Sequence, residues 1–206
     1  MANESGLRER LAEYAADAAD RLMRTDFGKL AEIGDLLLKA KADGRTVFLM
    51  GNGGSAATAS HVTNDLVKGC RVGDAPGFRA FCLSDSNALV TCLANDFSYE
   101  EIYSILLRTY ARKGDLVLAF SGSGNSPNIL HALNTAREMG LATVGLGGRD
   151  GGKMKALCDV ILIAPTDSME MLEDMHLVYF HDLVCAMRPA LAELAGAGCA
   201  ACSCCG

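Results

Sequence analysis

The stretch Thr46-Val47-Phe48-Leu49-Met50-Gly51-Asn52-Gly53-Gly54-Ser55 decides the fold. Residues 46–50 form a short run that is mostly apolar on both faces of an extended chain, as a strand buried inside a parallel sheet reads. Residues 51–55 are glycine with one asparagine and one serine, and a helical pattern follows. Strand, glycine turn and helix in that order open an α/β sheet covered on both sides. Four more short apolar runs follow at 79–83, 116–120, 142–146 and 160–164, and helical patterns separate most of them. The expectation is an α/β fold with a five-stranded parallel sheet flanked by helices.

On the N-terminal side, two amphipathic helices precede the first strand. Leu7, Leu11, Ala15, Ala18 and Leu22 recur at helical spacing, and so do Phe27, Leu30, Ile33 and Leu37 after a break at Thr25-Asp26. Gly44 suits a helix stop. No chemistry-bearing residue marks these helices, so core cover or subunit contact is their expected work. Further along, Ser98-Tyr99-Glu100-Glu101 has capping-box spacing before Ile102, and Ser126-Pro127 suits an N-cap followed by N1. The last helix is expected from about 168 to 187. With no internal repeat and no linker, the chain reads as a single domain over 1–190, with a helical extension over 1–44. A cysteine-rich tail over 191–206 is expected to be disordered.

Composition narrows the function classes. The 206 residues are 50% hydrophobic and 21% charged, an ordinary globular balance. A formal net charge of −6 argues against a nucleic-acid binder. No apolar run approaches the roughly 20 residues that span a bilayer, and no signal peptide is visible at the start. A cytoplasmic protein with no membrane partner is expected. Of nine cysteines, Cys70, Cys82, Cys92, Cys158 and Cys185 are scattered, and Cys199, Cys202, Cys204 and Cys205 crowd the tail. The Cys199-x-x-Cys202 pair has metal-ligand spacing, but no second pair or histidine follows it.

In sheets of this kind, ligands gather beyond the carboxyl ends of the strands. Two loops stand there, 51–55 and Ser121-Gly122-Ser123-Gly124-Asn125-Ser126. Glycine lets the backbone approach an anion closely, a helix N-terminus donates N–H groups to it, and serine hydroxyls add rotatable donors. One such loop alone reads as a tight turn, whereas two after buried strands read as a phosphate cradle. Neither fits the dinucleotide or Walker pattern, which disfavours a dinucleotide or ATP site. His61 and Asp65, four apart after the first loop, share a helix face. Glu173 and His181, eight apart on the last helix, share roughly one face, with His176 three residues from Glu173. Two imidazoles and two carboxylates serve proton transfer or hold a divalent metal.

The loop 51–55, then His61, Ser84-Asp85, Ala94-Asn95-Asp96-Phe97, residues 121–126, Asp150-Gly151-Gly152-Lys153-Met154 and Glu173-Asp174-Met175-His176 together resemble the sugar isomerase (SIS) domain family, and within it the phosphoheptose isomerases. The resemblance covers nearly the whole chain. It implies a flavodoxin-like sheet, a homotetramer with sites completed across subunits, and aldose–ketose isomerisation of a sugar phosphate, sedoheptulose 7-phosphate, through a cis-enediol. By the same resemblance, Ser121, Gly122, Ser123 and Ser126 would bind phosphate. Asn52, Gly53, Ser55, Asp96, Glu170 and Glu173 would face the sugar. Asp65 would be the base and His181 the acid, and His61, Asp65, Glu173 and His181 would hold one zinc ion per subunit. Three positions depart from the family pattern. Asp65 stands for glutamate, Glu173 for glutamine and Gly122 for threonine. Altered acid–base residues of this kind also fit a non-catalytic SIS module that binds sugar phosphate or regulates, and the loops alone fit an isomerase of another sugar phosphate.

Overall fold

The computed structural model describes residues 4–196. The tail cysteines Cys199, Cys202, Cys204 and Cys205 lie outside the described residues. Two helices, α1 (Glu4–Met23) and α2 (Phe27–Ala42), lead into β1 (Thr46–Gly51), α3 (Gly54–Asn64), a π-helical turn (Asp65–Gly69) and β2 (Arg79–Cys82). The chain continues through α4 (Asn87–Asp96), α5 (Ile102–Tyr110), β3 (Leu116–Ser121), α6 (Pro127–Glu138) and β4 (Ala142–Gly147). It ends with a 3-10 turn (Gly152–Ala156), β5 (Val160–Ile163) and α7 (Met169–Leu194). The five strands pair in the order β2-β1-β3-β4-β5, and every pairing is parallel. All five apolar runs became strands.

The sheet has two covered faces because its strands alternate between two apolar layers. Val47 and Leu49 of β1 pack with Ile33 and Leu37 of α2, Val62 of α3 and Phe180 of α7. Phe48 and Met50 point the other way, against Leu93, Leu106, Ile129 and Leu133 of α4, α5 and α6. The result is a three-layer α/β/α sandwich, with α1 outside the first layer. Ala18 and Leu22 of α1 pack on the core, whereas Leu7 and Leu11 stay exposed.

Three local expectations change. The strand over 79–82 is not buried on both faces, since Arg79 and Phe81 are exposed. It lies at the sheet edge, where only one neighbour covers it. Ser98 does not cap α5: its carbonyl accepts from the Glu101 N–H at 3.1 Å, closing a turn, and Glu101 itself precedes the helix. The last helix runs beyond 187 to Leu194, with Leu191 buried, so the first residues of the expected tail are helical.

Candidate functional site

The site is built where β1 and β3 end. A Cβ on Gly51 would stand 2.5 Å from the Ser55 carbonyl oxygen, so the return of the chain into α3 requires glycine there. Asn52, Ser55, Ser121, Ser123 and Ser126 converge on a cavity of about 130 Å³ whose other walls are Phe120, Gly122, Met169 and Glu173. Ser121 Oγ is buried and has no hydrogen-bond partner. A buried hydroxyl without a partner costs about 1–3 kcal/mol, which a bound anion would relieve. Ser126 occupies the N-cap position of α6 as expected, with Pro127 next. Its side chain makes no capping bond and lines the cavity.

Loop shape is enforced from outside. A Cβ on Gly124 (φ 61) would fall 2.0 Å from the Gly151 carbonyl oxygen. Met154 N–H donates to the Gly124 carbonyl at 2.9 Å, and Lys153 N–H to Asn125 Oδ1 at 3.1 Å. The run 150–154 is thus the outer brace of the second loop. At Gly122, a Cβ would come 2.8 Å from Met169 Sδ. The start of α7 fills the space that a larger residue at 122 would need.

A second cluster lies at the far end of α3. His61 Nε2 and His181 Nε2 are 3.1 Å apart, and each is 3.4 Å from Asp65 Oδ2. Asp65 sits at the start of the π-helical turn, where Cys70 N–H reaches back five residues to the Asp65 carbonyl at 3.0 Å. Such wide turns recur at functional sites. Asp65 Oδ2 is buried with no hydrogen-bond donor. Two imidazole nitrogens and a carboxylate oxygen, all within 4.8 Å of one another, match the ligand set of a zinc or similar divalent ion.

Glu173 does not join them. Its carboxylate lies against the N-terminus of α3, so close that a Cβ on Gly54 would collide with it. His61 lies seven positions after Gly54 on α3, about 10 Å along the axis. One subunit therefore brings together three of the four expected metal ligands and puts the fourth in the cradle. Asp96 and Glu170 are not among the cavity walls either. Asp96 is exposed and accepts from Asn95 Nδ2 at 2.8 Å. Glu170 accepts from Ser168 Oγ at 2.9 Å, and hydrogen bonds from its backbone N–H and that hydroxyl hold its carboxyl below the usual range. Gly53 shapes the turn, with φ 56, without being a wall.

His176 has another role. It is buried, with Nε2 3.1 Å from the Gly147 carbonyl oxygen and Nδ1 unpartnered, and burial pulls its pKa down to about 4. It is a neutral donor under the end of β4. Sequence reasoning missed Asn128 and Tyr103, which bond to the first loop from behind. The signal available was a polar residue directly after Pro127 and a tyrosine inside an apolar helix.

The model of the SIS domain matches residues 11–148. The phosphoheptose isomerase of Trichlorobacter lovleyi is 39% identical over 154 residues, 75% of this chain and 78% of that protein. The one from Paramagnetospirillum magneticum is 38% identical over 179 residues, 86% of this chain and 91% of that protein. Among solved structures, phosphoheptose isomerase GmhA from Neisseria gonorrhoeae superposes with a TM-score of 0.81 at 26% identity, covering 89% of this chain and 99% of that one.

Proposed function

The chain belongs to the SIS-domain family, and from that premise we propose that it is a sugar-phosphate aldose–ketose isomerase converting sedoheptulose 7-phosphate to D-glycero-D-manno-heptose 7-phosphate. The observation that carries the reading is one helix, α3, with an anion cradle at its start and a proton-transfer cluster at its end. The buried, unpartnered Ser121 hydroxyl suits the phosphate.

In the reaction proposed, Asp65 takes the proton from C1 of the ketose and returns it to C2. The electron pair moves through a cis-enediol. His181 protonates the C2 oxygen as the enediol forms and takes a proton back from the C1 oxygen as the aldehyde forms, which restores both groups. Asp65 is one methylene shorter than the glutamate of the family pattern. The π-helical turn that begins at Asp65 gives its backbone a path an α-helix would not. His61, Asp65 and His181 would hold a zinc ion, and a zinc ion there supplies a Lewis acid that polarises the substrate oxygens. Glu173, a wall of the cradle, would contact the sugar.

The assembly proposed is a homotetramer in the cytoplasm, with no nucleic-acid or membrane partner. Leu7 and Leu11 of α1 are exposed, and Phe27, Leu30, Leu183 and Ala186 line an apolar hollow between α2 and α7. Among the described residues no helix is long and apolar enough to cross a membrane. The test is incubation of the purified protein with sedoheptulose 7-phosphate, with and without added zinc, followed by product analysis. Aldose formation is expected, with loss of about a thousandfold or more in Asp65→Asn. Absence of product under both conditions removes the reading, and undiminished turnover by Asp65→Asn removes the base.

A further inference from the structure

Behind the first loop runs a chain of hydrogen bonds with a fixed direction. Asn128, next after Pro127 in α6, is polar yet 0% exposed. Its Oδ1 accepts from the backbone N–H of Ile129 at 3.0 Å. A backbone N–H can only donate, so that bond identifies which side of the Asn128 amide is oxygen. The same oxygen accepts from Asn52 Nδ2 at 2.9 Å, and Asn128 Nδ2 donates back to Asn52 Oδ1 at 2.9 Å. The orientation of Asn52 follows from that of Asn128.

The oxygen of Asn52 is then filled. Tyr99 OH donates to it at 3.0 Å, which takes the second lone pair. Tyr103 OH also lies 3.3 Å from Asn52 Oδ1, but its one proton goes to the closer Gly51 carbonyl, beside Ser84 Oγ at 3.0 Å. Burial pushes the Tyr103 hydroxyl up to about 12, so it remains a donor at neutral pH. One Asn52 Nδ2–H is left over, on a residue that walls the cavity.

Resting on the isomerase reading, we infer that Asn128 is a positioning residue. It turns the Asn52 amide so that only an N–H is on offer to the sugar, and it ties the first loop to the helix that starts after the second. Tyr99, from the α4–α5 connection, locks the same orientation from the other side. The site would therefore donate to a substrate oxygen at this point and could not accept from a hydroxyl there. A slack Asn52 would misplace the sugar while leaving the hydroxyls of Ser121, Ser123 and Ser126 in the cradle wall.

The experiment uses two variants of the full chain, Asn128→Asp and Tyr99→Phe. The first keeps shape and acceptor but removes the donor that faces Asn52 Oδ1. The second removes one hydroxyl from a half-exposed side chain and leaves the core untouched. Expected are falls in kcat of about tenfold or more and about threefold, with KM for sedoheptulose 7-phosphate and the affinity for inorganic phosphate each changed less than about threefold. A readout free of turnover is the 15N side-chain amide spectrum. The two Asn52 Nδ2 protons should be well separated and slow to exchange in the wild type, and should move toward solvent-like values in both variants. An inert wild type with that locked amide sinks the isomerase reading and leaves the positioning role standing. An Asn52 amide unmoved by either variant, or kcat within twofold of an active wild type in both, overturns the role. Should Asn128→Asp fail to fold, Tyr99→Phe decides by the same two readouts.

Discussion

Acidification should weaken this fold through His176. In the folded chain its imidazole is fully buried and its pKa lies at about 4, against 6.5 for the free side chain. The sign follows from proton counting. Above pH 6.5 the ring is neutral in both states and titration contributes nothing. Between 6.5 and 4 the unfolded chain binds a proton that the folded chain refuses, so stability falls as pH falls. Below 4 both states are protonated and the loss levels off. At pH 5 the loss relative to pH 8 is about 2 kcal/mol, and the plateau is about 3 kcal/mol. For a chain of this length, 2 kcal/mol corresponds to a drop in Tm of about 4–8 °C. The carboxylates also titrate below pH 5, so the assay compares two proteins. Thermal unfolding is followed from pH 8 to 4.5 for the wild type and for His176→Gln, which can still donate to the Gly147 carbonyl but cannot titrate. The two Tm profiles should converge as pH falls, because only the wild type carries the histidine penalty. Parallel profiles across that window would refute the account of His176 as a buried neutral donor.

Other expectations follow from single contacts. Gly44→Ala meets open space at φ 64, whereas Gly124→Ala meets the Gly151 carbonyl oxygen at a similar φ. The first should cost about 1 kcal/mol of left-handed strain, partly offset by a stiffer unfolded chain, and the second about 1–3 kcal/mol more. Equal Tm values for the two would show that the 150–154 brace is not tight. Ser121→Ala should leave Tm unchanged or slightly raised, since it removes an unpartnered buried hydroxyl. It should also weaken inorganic phosphate binding about tenfold by calorimetry, and unaltered affinity would take Ser121 out of the cradle. Burial pushes the thiols of Cys70, Cys82 and Cys158 up to about 11, 12 and 12. These three should resist a thiol reagent at pH 8 until the protein is denatured. Labelling of all three in the native state, mapped by mass spectrometry, would contradict the burial of Cys70 and Cys82 and the partial burial of Cys158.

The strands were legible because burial on two faces demands apolar runs, and the two loops were legible because glycine, serine and asparagine crowd a tight strand-to-helix turn. Sheet position was not written in the runs. The stretch 79–82 reads like its neighbours, and only pairing order leaves Phe81 at the edge. Periodicity placed His61 beside Asp65 and grouped Glu173 with His181 on a common face. On a helix, however, eight residues are about 12 Å, so a shared face is not a shared site. The π-helical turn at Asp65 has no compositional mark, because it differs from an α-helix by one step of hydrogen bonding. Asn128 was hidden for another reason. A polar residue after Pro127 reads as solvent-facing, and only its partner 76 positions away explains its burial.

Helix α7 touches each part of the site in turn. Met169 and Glu173 wall the cradle, His176 holds the end of β4, and His181 joins the cluster. Twenty-six residues of α-helix make one rod about 39 Å long. Its two working ends cannot be adjusted separately. A slide or tilt that opens the cradle displaces the imidazole as well, and Pro189, the one break in its hydrogen bonding, lies beyond both. Any closure around a ligand would have to come from segments not mounted on this rod, and the α4–α5 connection, whose Tyr99 bonds to the first loop, is one such segment. Adaptation to a new ligand would follow the same constraint, proceeding through that connection while the rod stays fixed.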